Sequence, residues 1–302
     1  EKDKCTEEAE EFQAGRHLFP FTYALPDELP CSFEGSNGCI TYSVTAVVSA
    51  AKDLHFKETC FFTILGELDL SAINEKEENS EGDEDSIIRS SCCTAGRINC
   101  SLNVPQRFLV PGQQLSASVD VKNMSARKIK SCSLILMQTE IYATSSGVSH
   151  RVRNELHQVP FGKSIKQGKR HCWTCDSIFI PPVPPSNLQP CRFVSIAYHL
   201  VLRLSLYPHP AEISVPLVVG TVPQSKFLYS YWYYAAQFRP GKKQLARDFT
   251  DAFLAPKNWM PLYRVYKPLS PIQSMLSLQE SPVCRRKKLD LDIDLRNNES
   301  VI

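Results

Sequence analysis

The chain is 302 residues long, which suits about two domains. Hydrophobic residues make up 43% of it, too many for global disorder, and 34 basic residues stand against 32 acidic ones. That balance excludes the one-sided basic field that nucleic acid requires, and no apolar run approaches the roughly 20 residues of a membrane-spanning helix. Residue 1 is Glu and no signal peptide is visible, so a targeting signal would have to precede the sequence as read.

In chain order, residues 1–16 are strongly charged. Phe19, Phe21, Tyr23 and Leu25 then alternate and predict a strand, closed by the proline-bounded turn LPDELP at 25–30. A turn with two glycines, 32–38, leads to Ile40, Tyr42, Val44, Ala46 and Val48, with Thr41, Ser43 and Thr45 between them. Side chains on a strand point to opposite faces in turn, so this is a half-buried strand. Phe61–Leu65 is a shorter apolar run read the same way. Residues 74–85, NEKEENSEGDED, have nothing to bury and predict a solvated loop. Their spacing lacks the Asp-x-Asp-x-Asp-Gly pattern of a calcium loop.

A second series follows. Ile98, Cys100, Leu102 and Val104 alternate with polar residues, PGQQ at 111–114 is a turn, and Leu115, Ala117, Val119 and Val121 alternate again. Leu134–Met137 is continuous, as in a strand covered on both faces. Val194, Ile196, Tyr198, Leu200, Leu202, Leu204 and Leu206 give the longest alternation, with Ser195, His199, Arg203 and Ser205 on the other side. Ile213, Val215, Leu217 and Val219 complete a hairpin, and Pro216 inside it argues for an edge position or a bulge. Two series of short strands separated by turns predict an all-β chain of two tandem immunoglobulin-like sandwiches. From Pro223 the pattern fails. A dense aromatic run occupies 229–234, and a short helix is predicted at 242–254 with Leu245, Phe249 and Phe253 on one face. The rest, through Arg285–Lys288, reads as a mostly disordered tail.

Several strings in this order resemble the arrestin-domain-containing, or α-arrestin, family. They are FPFTYALPDELPCSFEGSNGCITYSVTAVV (19–48), GELDLS (66–71), CCTAGRINCSLNV (92–104), FLVPGQQL (108–115), IPPVPPSNLQPCRFVSIAYHLVLRL (180–204) and VPLVVGTVP (215–223). LPCSFEG and the pair IPPVPP…VVGTVP are the most specific, and the resemblance covers about residues 15–223. It implies an arrestin-like N sandwich over 1–88 with the acidic loop 74–85 as an insertion, a C sandwich over 89–223, and a tail over 224–302. The family's first N-domain strands have no counterpart before Gly15, so the N sandwich is expected to be incomplete, with strand edges exposed.

The residues offer little chemistry. Cys172 and Cys175 form a lone CxxC in HCWTC; zinc needs a second ligand pair and a redox dithiol needs a βαβ setting, and neither is present in the pattern. No GxSxG string and no phosphate-cradling glycine loop occur. The expectation is therefore a non-enzymatic protein with no catalytic, cofactor or metal residues. The resemblance implies a cytoplasmic adaptor, recruited to the plasma membrane or endosomes, that grips cytoplasmic segments of membrane proteins and links them to endocytic or ubiquitin-dependent machinery. Family members of this kind recruit WW-domain ubiquitin ligases through PPxY strings, but none occurs here, and Met260-Pro-Leu-Tyr263 is the nearest approximation. Tyr266-Lys-Pro-Leu269 fits a Tyr-x-x-Φ signal for a clathrin adaptor. Pro261, Tyr263, Tyr266 and Leu269 are thus the candidate partner-binding residues, and the basic helix at 242–254 is a candidate peripheral membrane contact. The alternative is an extracellular, disulfide-bonded Ig-like module. It is prompted by twelve cysteines and three glycosylation sequons, at Asn99, Asn123 and Asn298.

Overall fold

In the computed structural model of the chain, the described residues are 15–26, 28–50, 54–72, 83–89, 96–161, 164–224, 231–236, 259–268 and 292–294. Their strands are β1 (Arg16–Leu18), β2 (Phe33–Glu34), β3 (Cys39–Ile40), β4 (Tyr42–Ala50), β5 (Leu54–Phe62) and β6 (Asp83–Arg89). There follow β7 (Arg97–Asn103), β8 (Phe108–Leu109), β9 (Gln114–Asn123), β10 (Cys132–Ala143), β11 (Ser149–Phe161) and β12 (Arg170–Phe179). The last are β13 (Val194–Leu204), β14 (Ala211–Val219), β15 (Tyr231–Ala236), β16 (Tyr263–Pro268) and β17 (Asp292–Asp294). The chain divides into two compact units, residues 1–27 with 280–302, and residues 28–279.

The first unit contains the short β1–β17 ladder. It corrects one expectation: Phe19, Phe21, Tyr23 and Leu25 form no strand and are exposed. Alternation needs a partner to become a ladder, and Pro20 within this run and Pro26 just after it remove backbone donors.

The second unit is built around one sandwich. A five-stranded sheet, β11-β10-β13-β14-β8, faces a four-stranded sheet, β12-β9-β7-β6. Every second residue of β9 faces inward: Leu115, Ala117, Val119 and Val121 are buried while Ser116, Ser118 and Lys122 are exposed. They meet Leu134, Leu136, Leu200, Leu202 and Val215 of the opposite sheet in one core. β10 is buried on both faces, for Ile135 and Met137 join Val201 in a separate cluster on its outer side. Pro216 sits where β14 has β13 as neighbour but has not yet reached β8, whose pairing starts at Val218. The missing amide donor is tolerated there as it would be on an edge strand. The acidic loop is shorter than expected, since its last residues, Asp83–Asp85, already pair with β7.

The prolines of IPPVPP cover one end of the sandwich and are buried. Tyr198 pins them: its hydroxyl donates to Pro184 O at 2.7 Å and accepts from Gln138 Nε2 at 3.1 Å. Ahead of this sandwich lie two hairpins, β2–β3 and β4–β5. Cys31 and Phe33 enter the same core as the sandwich, which joins the two parts through packing. Among the described residues no helix is long and apolar enough to cross a membrane. The predicted helix 242–254 and the basic run 285–288 lie outside the described residues.

Candidate partner-binding surfaces

Pro261, Tyr263 and Tyr266 fall on or beside β16, a paired strand within the stretch read as a mostly disordered tail. β16 pairs with β15 from Tyr231↔Pro268 to Ala236↔Tyr263. It lies across the join between the first hairpins and the sandwich. Tyr263 is 7% exposed and donates its hydroxyl to Ser32 O at 3.1 Å. Leu262 N–H donates to Thr63 Oγ1 at 3.2 Å, and the Trp259 ring meets Phe61 at 5.8 Å. Three residues on, Tyr266 is 6% exposed; its N–H donates to Pro111 O at 2.8 Å and its hydroxyl to Thr221 O at 2.6 Å. Burial raises the Tyr263 phenol well above its ordinary range. Pro261 is buried too, so Pro261, Tyr263 and Tyr266 are not presented to a partner in this conformation. Leu269 lies outside the described residues.

A second contact ties the hairpins to the sandwich. Glu140 is 3% exposed and has no salt bridge among the described residues, yet its carboxylate is well supplied with donors. Oε2 accepts from Ser36 N–H at 3.1 Å and from the Tyr142 hydroxyl at 2.7 Å, and Oε1 accepts from Asn154 Nδ2 at 2.6 Å. The Tyr142 oxygen in turn accepts from Asn37 N–H at 3.2 Å. Hydrogen bonds replace the water that the buried carboxylate gave up. The β2–β3 turn is thereby fixed on β10.

The outer face of the five-stranded sheet carries a lattice of charged side chains. By register, Arg153 and Glu155 of β11, Arg203 of β13 and Glu212 of β14 share it with Ile135, Met137 and Val201. Glu212 bridges both arginines, at 3.0 Å from Arg153 Nη2 and 2.7 Å from Arg203 Nε, and Arg203 Nη1 reaches Glu155 at 2.7 Å. His199, half-buried on this face, is held below the usual histidine range by desolvation and then by Arg153. Sequence reasoning missed this lattice because β11 was not recognised as a strand.

The CxxC is not a dithiol site. An offset of three residues on a strand puts two side chains on opposite faces, and Cys172 is exposed while Cys175 is buried. Among the described residues no three His, Cys, Asp or Glu side chains are grouped to hold a metal. The eight described cysteines are free, which gives the disulfide-bonded alternative no support. Asn123 of the second sequon is buried at 0% exposure. Its Nδ2 donates to Arg127 O and Ile165 O while Oδ1 accepts from Ser125, so the folded chain does not offer it for glycosylation.

Comparison with known proteins adds the lineage. Residues 2–71 match the family described as Arrestin (or S-antigen), N-terminal domain, and residues 94–224 match Arrestin (or S-antigen), C-terminal domain. Arrestin domain-containing protein 17 of Caenorhabditis elegans is 28% identical over 221 residues, covering 70% of this chain and 49% of its own length. The chain belongs to the α-arrestin family. Other relatives include human Arrestin domain-containing protein 1, 29% identical over 210 residues (69% of this chain, 47% of the relative). Human Arrestin domain-containing protein 4 is 27% identical over 259 residues (82% of this chain, 58% of the relative). This α-arrestin chain thus spans about half the length of the curated relatives it matches.

Proposed function

We propose that this α-arrestin is a non-enzymatic adaptor that binds cytoplasmic segments of membrane proteins and connects them to endocytic or ubiquitin-dependent trafficking machinery, working in the cytoplasm and at the membranes its cargo occupies. The observation that carries the reading is the pair of arrestin-domain matches, in order, over residues 2–71 and 94–224. The outer face of the five-stranded sheet supports a cargo role. Its Arg153–Glu212–Arg203–Glu155 lattice holds charges ready for exchange with a charged partner segment. On this reading a clathrin adaptor engages Tyr266-Lys-Pro-Leu269 only after β16 leaves its site. No PPxY occurs within residues 1–302, and the prolines at 181–185 are buried.

The test is co-precipitation of the full chain with immobilised cytoplasmic segments from a panel of receptors and transporters. Retention of some segments, weakened about fivefold or more by Arg203→Glu, is the expected result. Failure of every segment to retain the wild-type chain would remove the cargo role.

A further inference from the structure

β11 and β12 are consecutive in the chain and form outer strands of the two facing sheets. Between the end of β11 and the start of β12 the sheets gape around a cavity of about 330 Å³. Phe161, Trp173, Pro160 and Ile165 make its apolar wall, and His171 and Cys172 its polar side. The Phe161 and Trp173 rings lie 4.6 Å apart between centroids, tilted by 47°. The Trp173 indole Nε1 is out of contact with solvent and has no acceptor among the described residues. The N–H is thus turned away from the cavity, and the wall offers a ligand its rings rather than a polar group.

The lining residues include no Lys or Arg, but the two stretches that lead into Cys132 and His171 carry one sign of charge. Residues 121–131 contain Lys122, Arg127, Lys128 and Lys130, residues 164–171 contain Lys166, Lys169 and Arg170, and neither stretch has an Asp or Glu. The topology brings the two together. Ile129 and Ile165 exchange N–H···O bonds of 3.0 Å, and the Asn123 amide ties Arg127 O to Ile165 O. Asp120, opposite Cys172 in the register, is already engaged: Arg170 Nε lies 2.9 Å from both its oxygens, and the Cys172 thiol donates to it at 3.3 Å. Lys122, Lys128, Lys130, Lys166 and Lys169 are exposed, so their charge is presented to solvent on the stretches next to the cavity.

We propose that this cavity binds a small amphipathic anion, a carboxylate or similar head on an acyl or aromatic body. The body rests on the Phe161–Trp173 wall, and the head lies in the lysine field. The volume is at the lower end of the roughly 300–1,000 Å³ typical of ligand pockets, which fits a single chain or ring system and excludes a folded partner.

The experiment titrates the ¹⁵N-labelled full chain with decanoate below its micelle concentration. It follows the indole resonances of the three tryptophans, with that of Trp173 assigned by Trp173→Phe. The expected result is a saturable shift of the Trp173 indole alone. The double variant Lys166→Glu/Lys169→Glu, changed only at exposed side chains, should bind about fivefold more weakly with its native spectrum intact. Decanol, with the same chain and no charge, should bind about tenfold more weakly, and equal binding overturns the anion requirement. No saturable shift overturns the site, as does movement of the Trp232 or Trp259 resonance in step with Trp173. Retention on phosphatidylserine vesicles by a chain that ignores decanoate would make the basic stretches a membrane surface, and the cavity proposal would fall.

Discussion

Gly112 is the residue on which the seat of β16 depends. Its φ of +94° lies in the region that side chains rarely adopt, and a Cβ there would stand 2.0 Å from the Tyr266 carbonyl oxygen. Gly112 N–H also donates to Ile180 O at 2.7 Å, so the residue cannot swing away without releasing the proline-rich cover. Gly112→Ala should therefore cost about 1–3 kcal/mol in a urea unfolding curve. Limited proteolysis should cut within 259–268 sooner than in the wild-type chain. An unchanged digestion pattern would mean that β16 is held by other contacts. The requirement was hidden in the sequence: PGQQ read as a turn, but nothing local showed that a strand about 150 residues later would pass over its glycine.

At the scale of elements, the β2–β3 turn is held on β10 through hydrogen bonds to Tyr142 and Glu140. Tyr142→Phe keeps the ring and removes the hydroxyl, leaving Asn37 N–H without its acceptor and Glu140 with one donor fewer. The expected loss is about 1–2 kcal/mol. Amide exchange should quicken at Ser36 and Asn37 while the β9 amides keep their protection. A uniform change along the chain would show instead a general loss of stability. Of the strands that were legible, β7, β9, β10, β13 and β14 bury one face or both and β4 half-buries one, so parity or a continuous apolar run marked them. β11 was not legible because most of its side chains are exposed and polar, and its thirteen residues are held as a strand by pairing with β10. β15 and β16 were missed for a different reason. An aromatic run shows no parity, and the partner strand lies beyond a stretch read as helix and tail. The candidate tyrosines were recognisable as motifs, but their burial was not, since a four-residue pattern carries no information about what packs over it.

For the whole molecule, buried thiols make stability depend on pH on the alkaline side. Burial raises Cys31 and Cys132 from 9.0 to about 11, and burial with neighbouring Cys132 and Asp120 raises Cys100 to about 12. The unfolded chain would ionise these thiols near their ordinary value while the folded chain still holds the protons. Their contribution is thus fully present below pH 9 and is lost as pH climbs toward 11 and 12. The urea midpoint should fall as pH rises from 9.0 to about 11. Cys100→Ala, though less stable at neutral pH, should show a shallower fall. A midpoint independent of pH across that window would mean the thiols are not shielded as described. The placement of β16 has a further consequence for where this protein can be shortened. Tyr263 packs in the cluster that holds Cys31 and Tyr266 in the one that holds Leu70 and Val110, yet both lie beyond Gln224, where the match to the arrestin C-terminal domain ends. A version ending at Gln224 should be recovered mainly as aggregate, while one ending after Pro268 stays monodisperse. The matched domain and the stretch that must be synthesised to hide its greasy surface have different lengths.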